Sequence, residues 1–183
     1  MLDWLWTLDG GVLLWIQAHL RGPVLDHAVS FYTALGDAGL LFLAAAAVLL
    51  CFKKTRKAGF TALLAIAIGF ICTNLILKNL VSRPRPWLMV EGLTAIVTEK
   101  DPNSFPSGHT TAAFAFASAL WRTAPDKWMR WAALICAVLM GLSRLYVGVH
   151  YPSDVLVGVA VGLLAGWLAG KLTRRSYRGK QIG

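Results

Sequence analysis

The chain has 183 residues, of which 57% are hydrophobic and only 15% are charged, and its mean hydropathy is +0.59. This composition lies outside the average for soluble globular domains and indicates a protein whose solvent is the lipid bilayer. The net charge of +9 fits basic loops between apolar segments, so it does not call for a nucleic-acid partner.

The first 22 residues form a segment of their own, rich in tryptophan and interrupted by acidic residues and glycines. No basic residues precede its apolar part, so we expect it to be retained rather than cleaved as a signal peptide. Asp9 is the predicted N-cap of a helix over about 10–20, and Gly22 with Pro23 is the predicted stop. The tryptophans favour a helix in the membrane interface, with a sixth span as the alternative.

Longer apolar stretches follow, each near the roughly 17 to 25 residues that a helix needs to cross a bilayer. They lie at 36–52, 58–77, 107–123, 128–147 and 153–171. The first could begin earlier, since residues 23–35 could extend it into one long tilted helix. The sequence therefore predicts an all-α, polytopic transmembrane bundle of five to six spans. Its membrane-embedded domain covers 23–172, and a basic cytoplasmic tail covers 173–183.

The basic residues are distributed unequally between the two ends of these spans. One side carries twelve of the 18: Lys53, Lys54, Arg56, Lys57, Arg122, Lys127, Arg130, Lys171, Arg174, Arg175, Arg178 and Lys180. The other side carries Arg21, Lys78, Arg83, Arg85, Lys100 and Arg144, with all four histidines and most of the acidic residues. Because basic loops stay in the cytoplasm, the second side is expected to face the periplasm or cell exterior of a bacterial inner membrane.

Three polar stretches lie on that second side, at the ends of different spans. They are KNLVSRPRP (78–86), FPSGHT (105–110) and SRLYVGVHYPSD (143–154). Each has a structural interpretation of its own: Lys78 as a snorkelling side chain, the two arginines of 78–86 as headgroup anchors, Ser107 as a helix cap. Arg144, His150 and Asp154 could form a polar cluster that ties two helices together. Because antiparallel spans alternate in direction, we expect all three stretches to meet at one membrane face.

The charges of the three stretches together indicate a binding site for an anion. Ionisable groups near the apolar phase are costly unless paired, so they suggest function. The cations outnumber the carboxylate we expect beside them, Asp154, and an anionic ligand would supply the missing charge. Phosphate fits, because guanidinium groups bind its oxygens in pairs and backbone N–H groups at a helix start add donors.

Two histidines beside a bound phosphate would permit displacement at phosphorus. Asp154 lies four residues after His150 and can hold one ring proton, which leaves the other nitrogen free to attack. His109 would then act as the general acid and later as the base for water. Lys78, Arg85 and Arg144 would neutralise the phosphate charge. The motifs contain no Asp/Glu cluster for Mg²⁺, and the sequence predicts neither a metal nor another cofactor.

These motifs resemble the signature of the type 2 phosphatidic acid phosphatase superfamily, K-x6-R-P, P-S-G-H and S-R-x5-H-x3-D. Every signature position is matched between residues 78 and 154, and Arg83 lies outside the strict pattern. The resemblance implies a metal-independent membrane phosphatase that acts on lipid phosphates or diphosphates through a phosphohistidine. It implies His150 as nucleophile, His109 as acid and Asp154 as its orienter. It further implies a set of phosphate ligands: Lys78, Arg85, Ser107, Gly108 and Arg144.

The resemblance leaves the substrate open. Undecaprenyl diphosphate is the first choice, followed by phosphatidylglycerol phosphate, phosphatidic acid and lipid A. The segment Trp87–Asn103 mixes apolar and acidic residues between two motifs and is where we expect substrate choice to reside. Two other functions share part of the pattern: that of the related vanadium haloperoxidases, which are soluble, and that of a non-catalytic lipid-phosphate binder or transporter, which would need no paired histidines. The sequence does not predict an oligomeric state.

Glycines recur at every fourth position of the last span, at 158, 162, 166 and 170. Small residues at this spacing allow a neighbouring helix to approach closely. The sequence therefore predicts close packing within the bundle that fixes Asp154 at the head of the same helix. Dimerisation through this surface is the alternative.

Overall fold

The computed structural model describes residues 3–179, with side chains over 7–174. This part of the chain is 77% helical and contains no strands, which confirms the all-α prediction. Its helices are α1 (Asp3–His19), α2 (Pro23–Leu35), α3 (Leu40–Cys51), α4 (Arg56–Phe70), α5 (Lys78–Val81), α6 (Pro86–Met89), α7 (Gly108–Thr123), α8 (Lys127–Tyr146) and α9 (Pro152–Gly179). A 3-10 turn (Asp37–Gly39) precedes α3, and a π-helical segment (Ile71–Leu77) joins α4 to α5.

Three helical stretches are long and apolar enough to cross a membrane: Arg56–Val81, Lys127–Tyr146 and Pro152–Arg174. A fourth arises if α2 and α3 are counted as one broken span. Helix α7, predicted as a span, has 16 residues, which is short for one, although its middle is the most buried part of the bundle. The described residues thus give three or four spans by length and composition, and the predicted five to six are not confirmed.

The predicted long first helix is bent rather than straight. Helices α2 and α3 meet at 47°, and the break is the turn from Gly36 to Gly39. Ala38 has φ 51° and Gly39 has φ 74°, both in the left-handed region that ends a helix. The bend brings this turn against the start of α7.

The glycines of α9 pack against α7. A Cβ at Gly162 would lie 2.7 Å from the carbonyl oxygen of Thr111, and one at Gly166 would lie 2.4 Å from the Cβ of Ser118. Only glycine allows the two backbones to come this close. The predicted internal packing is confirmed, and it aligns the first turn of α9 with the first turn of α7.

The N-terminal helix begins earlier than predicted. Helix α1 starts at Asp3, so Asp9 lies in its interior and the predicted N-cap is wrong. Buried Leu13 packs with Leu93 and Tyr151, and the Gln17 side chain accepts from the backbone N–H of Thr94. Helix α1 therefore packs against the segment Trp87–Asn103 and is hydrogen-bonded to it. No pattern in the sequence predicted this contact.

The predicted tail, residues 173–183, begins inside a helix, because α9 runs to Gly179. Residues 180–183 lie outside the described part of the chain, as do the side chains of Trp4 and Trp6, on which the interfacial prediction partly depended.

Candidate active site

The three motifs meet at one cavity of about 160 Å³. Five of the residues predicted for the site line it: Lys78, Arg85, Gly108, His109 and His150. The remaining lining residues come from the α2–α3 turn, from α4 and the π segment, from α7, and from the segment Trp87–Asn103: Ala38, Gly39, Ile66, Gly69, Phe70, Asn74, Glu99, Thr111 and Ala112. The predicted convergence of the three stretches is confirmed.

The first motif supplies Arg85 from an extended strand-like stretch. Helix α5 ends at Ser82, whose φ of 47° turns the chain, and the two prolines hold the backbone extended. The buried Arg85 guanidinium donates from Nε to the carbonyl of Asp101 at 3.0 Å and from Nη1 to the carbonyl of Val149 at 3.0 Å. These bonds fix the guanidinium plane beside His150.

Lys78 and Arg144 are also buried, and each is paired with a carboxylate. Lys78 is 8% exposed and binds Asp101, so the snorkelling interpretation is wrong. Arg144 binds Glu99 and donates from Nη1 to Thr33 Oγ1 at 2.5 Å. Glu99 lines the cavity, and its Oε2 lies 3.8 Å from Arg85 Nη2.

The expected surplus of positive charge is therefore wrong. Asp154 is one of several carboxylates around the cations, and the others are Asp9, Asp37, Glu99 and Asp101. They belong to segments far from the motifs in sequence, which the folding of α1, of the α2–α3 turn and of the segment Trp87–Asn103 brings to the cavity. The sequence shows that these carboxylates are present, but their positions beside the cations depend on long-range packing.

Ser107 begins α7, as predicted. Its Oγ accepts from the backbone N–H of Thr110 at 3.4 Å and from Thr110 Oγ1 at 2.9 Å. The side chain is fully buried beneath the helix start and is not among the residues that line the cavity, whereas Gly108 and His109 are. A Cβ at Gly108 would lie 3.4 Å from Asn74 Oδ1. Asn74 also lines the cavity and was missed from the sequence. The feature that could have identified it is an amide side chain within an apolar span.

His109 contacts the α2–α3 turn. Its Nε2 lies 3.0 Å from Asp37 Oδ1, and a Cβ at Gly36 would lie 3.0 Å from the Cδ2 atom of the ring. The Asp37 side chain is 65% exposed. The general-acid candidate thus has a carboxylate partner that the motifs do not contain, and this partner is open to water.

His150 is enclosed, at 2% exposure. Its Nε2 lies 3.1 Å from Arg85 Nη1. Because arginine can only donate, Nε2 must accept, and the neutral ring then carries its proton on Nδ1. Burial, with the positive charges of Arg144 and Arg85, lowers the pKa of His150 well below its ordinary value. The ring is neutral at physiological pH, with its lone pair on Nε2, as the proposed nucleophile requires.

Asp154 lies behind His150, at a longer distance than predicted. Its Oδ2 is 3.6 Å from His150 Nδ1, beyond hydrogen-bond range, and accepts instead from the backbone N–H of Tyr151 at 2.9 Å. Its Oδ1 accepts from Arg83 at 2.7 Å. The predicted direct bond between Asp154 and His150 is absent because other donors hold the carboxylate.

Arg83, whose role the sequence left open, joins Asp154 to the N-terminal helix. Its Nη2 donates to Asp9 Oδ2 at 2.9 Å, its Nη1 donates to Ser153 Oγ at 2.7 Å, and its guanidinium lies 3.7 Å from the centre of the Tyr151 ring. Asp9 Oδ1 also accepts from the backbone N–H of Ser153 at 3.1 Å, at the first turn of α9. Asp9 was missed as a site residue; a carboxylate inside an apolar stretch was its signal.

The cavity gathers cations and two histidines between helices of membrane-spanning type, the arrangement of an integral-membrane protein with a polar site. Comparison with known proteins names the family. The profile described as "PAP2 superfamily" matches residues 58–178, so the chain belongs to the PAP2 superfamily. The recognition made from the motifs is confirmed.

Relatives share much of the chain. It is 33% identical to the undecaprenyl-diphosphatase BcrC of Bacillus subtilis, over 81% of this chain and 75% of that one. It is 37% identical to an undecaprenyl-diphosphatase of Sulfolobus acidocaldarius, over 67% of this chain and 57% of the relative's length. The crystal structure of Aquifex aeolicus LpxE superposes with a TM-score of 0.78 at 28% identity, over 90% of this chain and 95% of that one.

Proposed function

We propose that this protein is a membrane lipid phosphatase that hydrolyses a lipid phosphomonoester or diphosphate through a phosphohistidine at His150, without a metal. The observation that carries the proposal is that two histidines, Lys78 and Arg85 line one cavity, with a neutral His150 whose Nε2 is an acceptor. A phosphate binder needs the cations, but it has no use for paired imidazoles. Undecaprenyl diphosphate is the proposed substrate, supported by the names of the two relatives.

The reaction follows from the positions of the side chains. Substrate oxygens take the hydrogen bonds of Arg85 and Lys78, with the N–H groups at the start of α7 as further donors. The freed Nε2 of His150 attacks phosphorus, and the bond to the leaving oxygen breaks as His109 gives that oxygen a proton. His150 keeps its Nδ1 proton, and the positive charge that forms on its ring is stabilised by Asp154 behind it.

The second half of the reaction regenerates the enzyme. His109, now neutral, takes a proton from water, and the water oxygen attacks phosphorus. The bond from phosphorus to Nε2 breaks, inorganic phosphate leaves, and the electron pair returns to His150. His109 is again protonated for the next substrate, so protons balance over the cycle without another group.

We place the cavity at the extracytoplasmic face of a bacterial inner membrane. The distribution of basic residues supports this orientation, since twelve of the 18 lie at the opposite ends of the helices. Five to six spans would result if α7, although short, crosses within the bundle and α1 either crosses or lies in the interface. Cysteine labelling at the exposed positions 91 and 127 from outside intact cells tests the orientation: accessibility of 127 but not of 91 would reverse it.

The activity is tested with purified protein in detergent and EDTA. Phosphate release is measured for undecaprenyl diphosphate, phosphatidylglycerol phosphate, phosphatidic acid and lipid A. We expect release from at least one lipid, fastest from undecaprenyl diphosphate, and loss of release in His150→Ala. Binding of these lipids without turnover would overturn the enzymatic proposal and favour the non-catalytic binder. Dependence on added Mg²⁺ would overturn its metal independence.

A further inference from the structure

The cations assigned to phosphate are already occupied by carboxylates of the segment Trp87–Asn103. Glu99 binds Arg144 through Oε1, and its Oε2 lies 3.8 Å from Arg85 Nη2. Asp101 binds Lys78. A carboxylate on an arginine fork uses the same donors, in the same planar arrangement, as two oxygens of a phosphate. Substrate must therefore displace at least one of these carboxylates before its phosphate reaches the guanidinium groups.

The two carboxylates are held differently. Asp101 is tied into the backbone: its Oδ1 accepts from the N–H of Asn103 at 2.9 Å, and its carbonyl accepts from Arg85 at 3.0 Å. Although burial opposes ionisation, the hydrogen bonds from Lys78 and Asn103 and the charge of Lys78 keep the pKa of Asp101 below its ordinary value. Asp101 therefore stays charged and holds Lys78 and Arg85 in place.

Glu99 lies between two attachment points of the segment. The backbone N–H of Ile96 donates to the carbonyl of Val147 at 3.0 Å, and the N–H of Ser104 donates to the carbonyl of Arg83 at 2.8 Å. The side chain itself projects into the cavity and binds the arginines through its carboxylate. Rotation of this long side chain would free both guanidinium groups without moving either attachment point.

We propose that Glu99 is an internal competitor that occupies the place of the substrate phosphate on Arg144 and Arg85 and exchanges with it, whereas Asp101 remains bound. This inference rests on the proposed function. An internal competitor lowers the apparent affinity of every ligand that needs the same donors. The factor is the same for each ligand and equals the fraction of molecules in which the site is open. A lipid tail can offset that factor by burying apolar surface, for which Ile66 and Phe70 line the cavity, but free phosphate cannot.

The consequence is that every phosphate ligand needs a higher concentration to occupy the site, a requirement that lipid meets more readily than free phosphate. Lipid is concentrated in the bilayer and gains apolar contacts, so it displaces Glu99. The inorganic phosphate left after hydrolysis has only its charge and is replaced by the carboxylate. Glu99 thus speeds the departure of the product and limits product inhibition.

The test compares Glu99→Gln with Asp101→Asn and with the control Glu91→Gln, an exposed carboxylate of the same segment. The inhibition constant of inorganic phosphate and the KM of the lipid substrate are measured for each protein, and phosphate binding is followed by thermal shift. For Glu99→Gln we expect both constants to fall by a common factor of about ten, the value for a site open in one molecule of ten. Asp101→Asn is expected to raise both constants, and Glu91→Gln to change neither.

Three outcomes would overturn the inference. In the first, both constants rise in Glu99→Gln, which would show that Glu99 only positions the arginines. In the second, neither constant changes. In the third, the constant for phosphate falls while the KM of the lipid does not, which would show that Glu99 repels the free ion without occupying the site. Failure of the proposed function is a separate result, since the unaltered protein would then release phosphate from none of the lipids.

Discussion

The two histidines line the same cavity but lie in contrasting surroundings. His150 is enclosed, with Arg85 on one ring nitrogen and the Asp154, Arg83 and Asp9 network behind the other. His109 lies at the start of α7 and contacts Asp37, a carboxylate in a surface turn that is 65% exposed. The side of the proposed nucleophile is therefore held by buried contacts, whereas the side of the proposed acid reaches solvent through Asp37.

The comparison indicates which residues should tolerate change. Contacts in buried, water-free surroundings contribute more than exposed ones, because solvent screens charges and competes for hydrogen bonds at the surface. We therefore expect catalysis to depend steeply on the residues around His150 and weakly on those that reach His109 from the surface turn.

The largest effect is expected from the histidines themselves. His150→Ala should lower kcat by about 10³-fold or more, because no other group can form the covalent bond to phosphorus. His109→Ala should still form the phosphoenzyme from p-nitrophenyl phosphate, whose leaving group needs no acid, and should then hydrolyse it slowly. Acid-labile phosphate on His150, measured by mass spectrometry after rapid quenching, checks both variants. Phosphoenzyme in His150→Ala, or none in His109→Ala, would contradict the assigned roles.

A smaller but still large effect is expected for Asp9→Asn. The substitution would weaken the charged hydrogen bond from Arg83 and the bonds to Ser153. A hydrogen bond between charged groups contributes about 1.5 to 3 kcal/mol, so kcat should fall by roughly 10- to 100-fold while KM changes little. Steady-state kinetics with a thermal-melting control measure this. Asp26→Asn, which alters a carboxylate bound to Tyr146 away from His150, is the matched control. Equal losses of kcat in the two variants would indicate that Asp9→Asn destabilises the whole protein and does not act through the position of Asp154.

The pH profile distinguishes the two sides further. His150 reacts as the neutral ring, and its lowered pKa keeps it neutral down to acidic pH, so kcat/KM should fall only below about pH 6.5. Arg144→Gln removes a positive charge that opposes protonation of His150. The pKa of His150 should then rise, and the acidic limb should move to higher pH. If the acidic limb of the profile does not move, the group whose titration causes it is not His150.

The smallest effect is expected for Asp37→Asn. Asp37, the carboxylate of the pair with His109, is 65% exposed, and solvent screening limits such a carboxylate to about 1 kcal/mol, so kcat should change by no more than roughly fivefold. The loss should also shrink at high salt, since screening already weakens the pair. Kinetics at two ionic strengths measure this. A loss as large as that of Asp9→Asn would remove the contrast between the two sides of the cavity.

The sequence predicted the parts of the site that lie within the motifs. Lys78, Arg85, His109 and His150 were identified because each is an ionisable residue at a span end, and their spacing set which ends meet. Glu99, Asp101, Asp37 and Asp9 were not placed, since their partners are 45, 23, 72 and 74 residues away and no periodicity connects them. The left-handed conformation of Ala38 was equally hidden, because alanine favours continuing a helix.

The π segment between α4 and α5 has a consequence for how this site tolerates change. Ile66, Phe70, Asn74 and Lys78, four residues apart, all line the cavity, although successive steps of four in a regular α-helix drift around its axis by about 40° each. The wider turn of Ile71–Leu77 compensates for that drift and keeps the stripe straight. In a regular α-helix of the same length, Lys78 would lie about 120° around the axis from Ile66, away from the rest of the stripe. The wider turn, and not only the identity of residue 78, therefore delivers the ammonium group to the cavity.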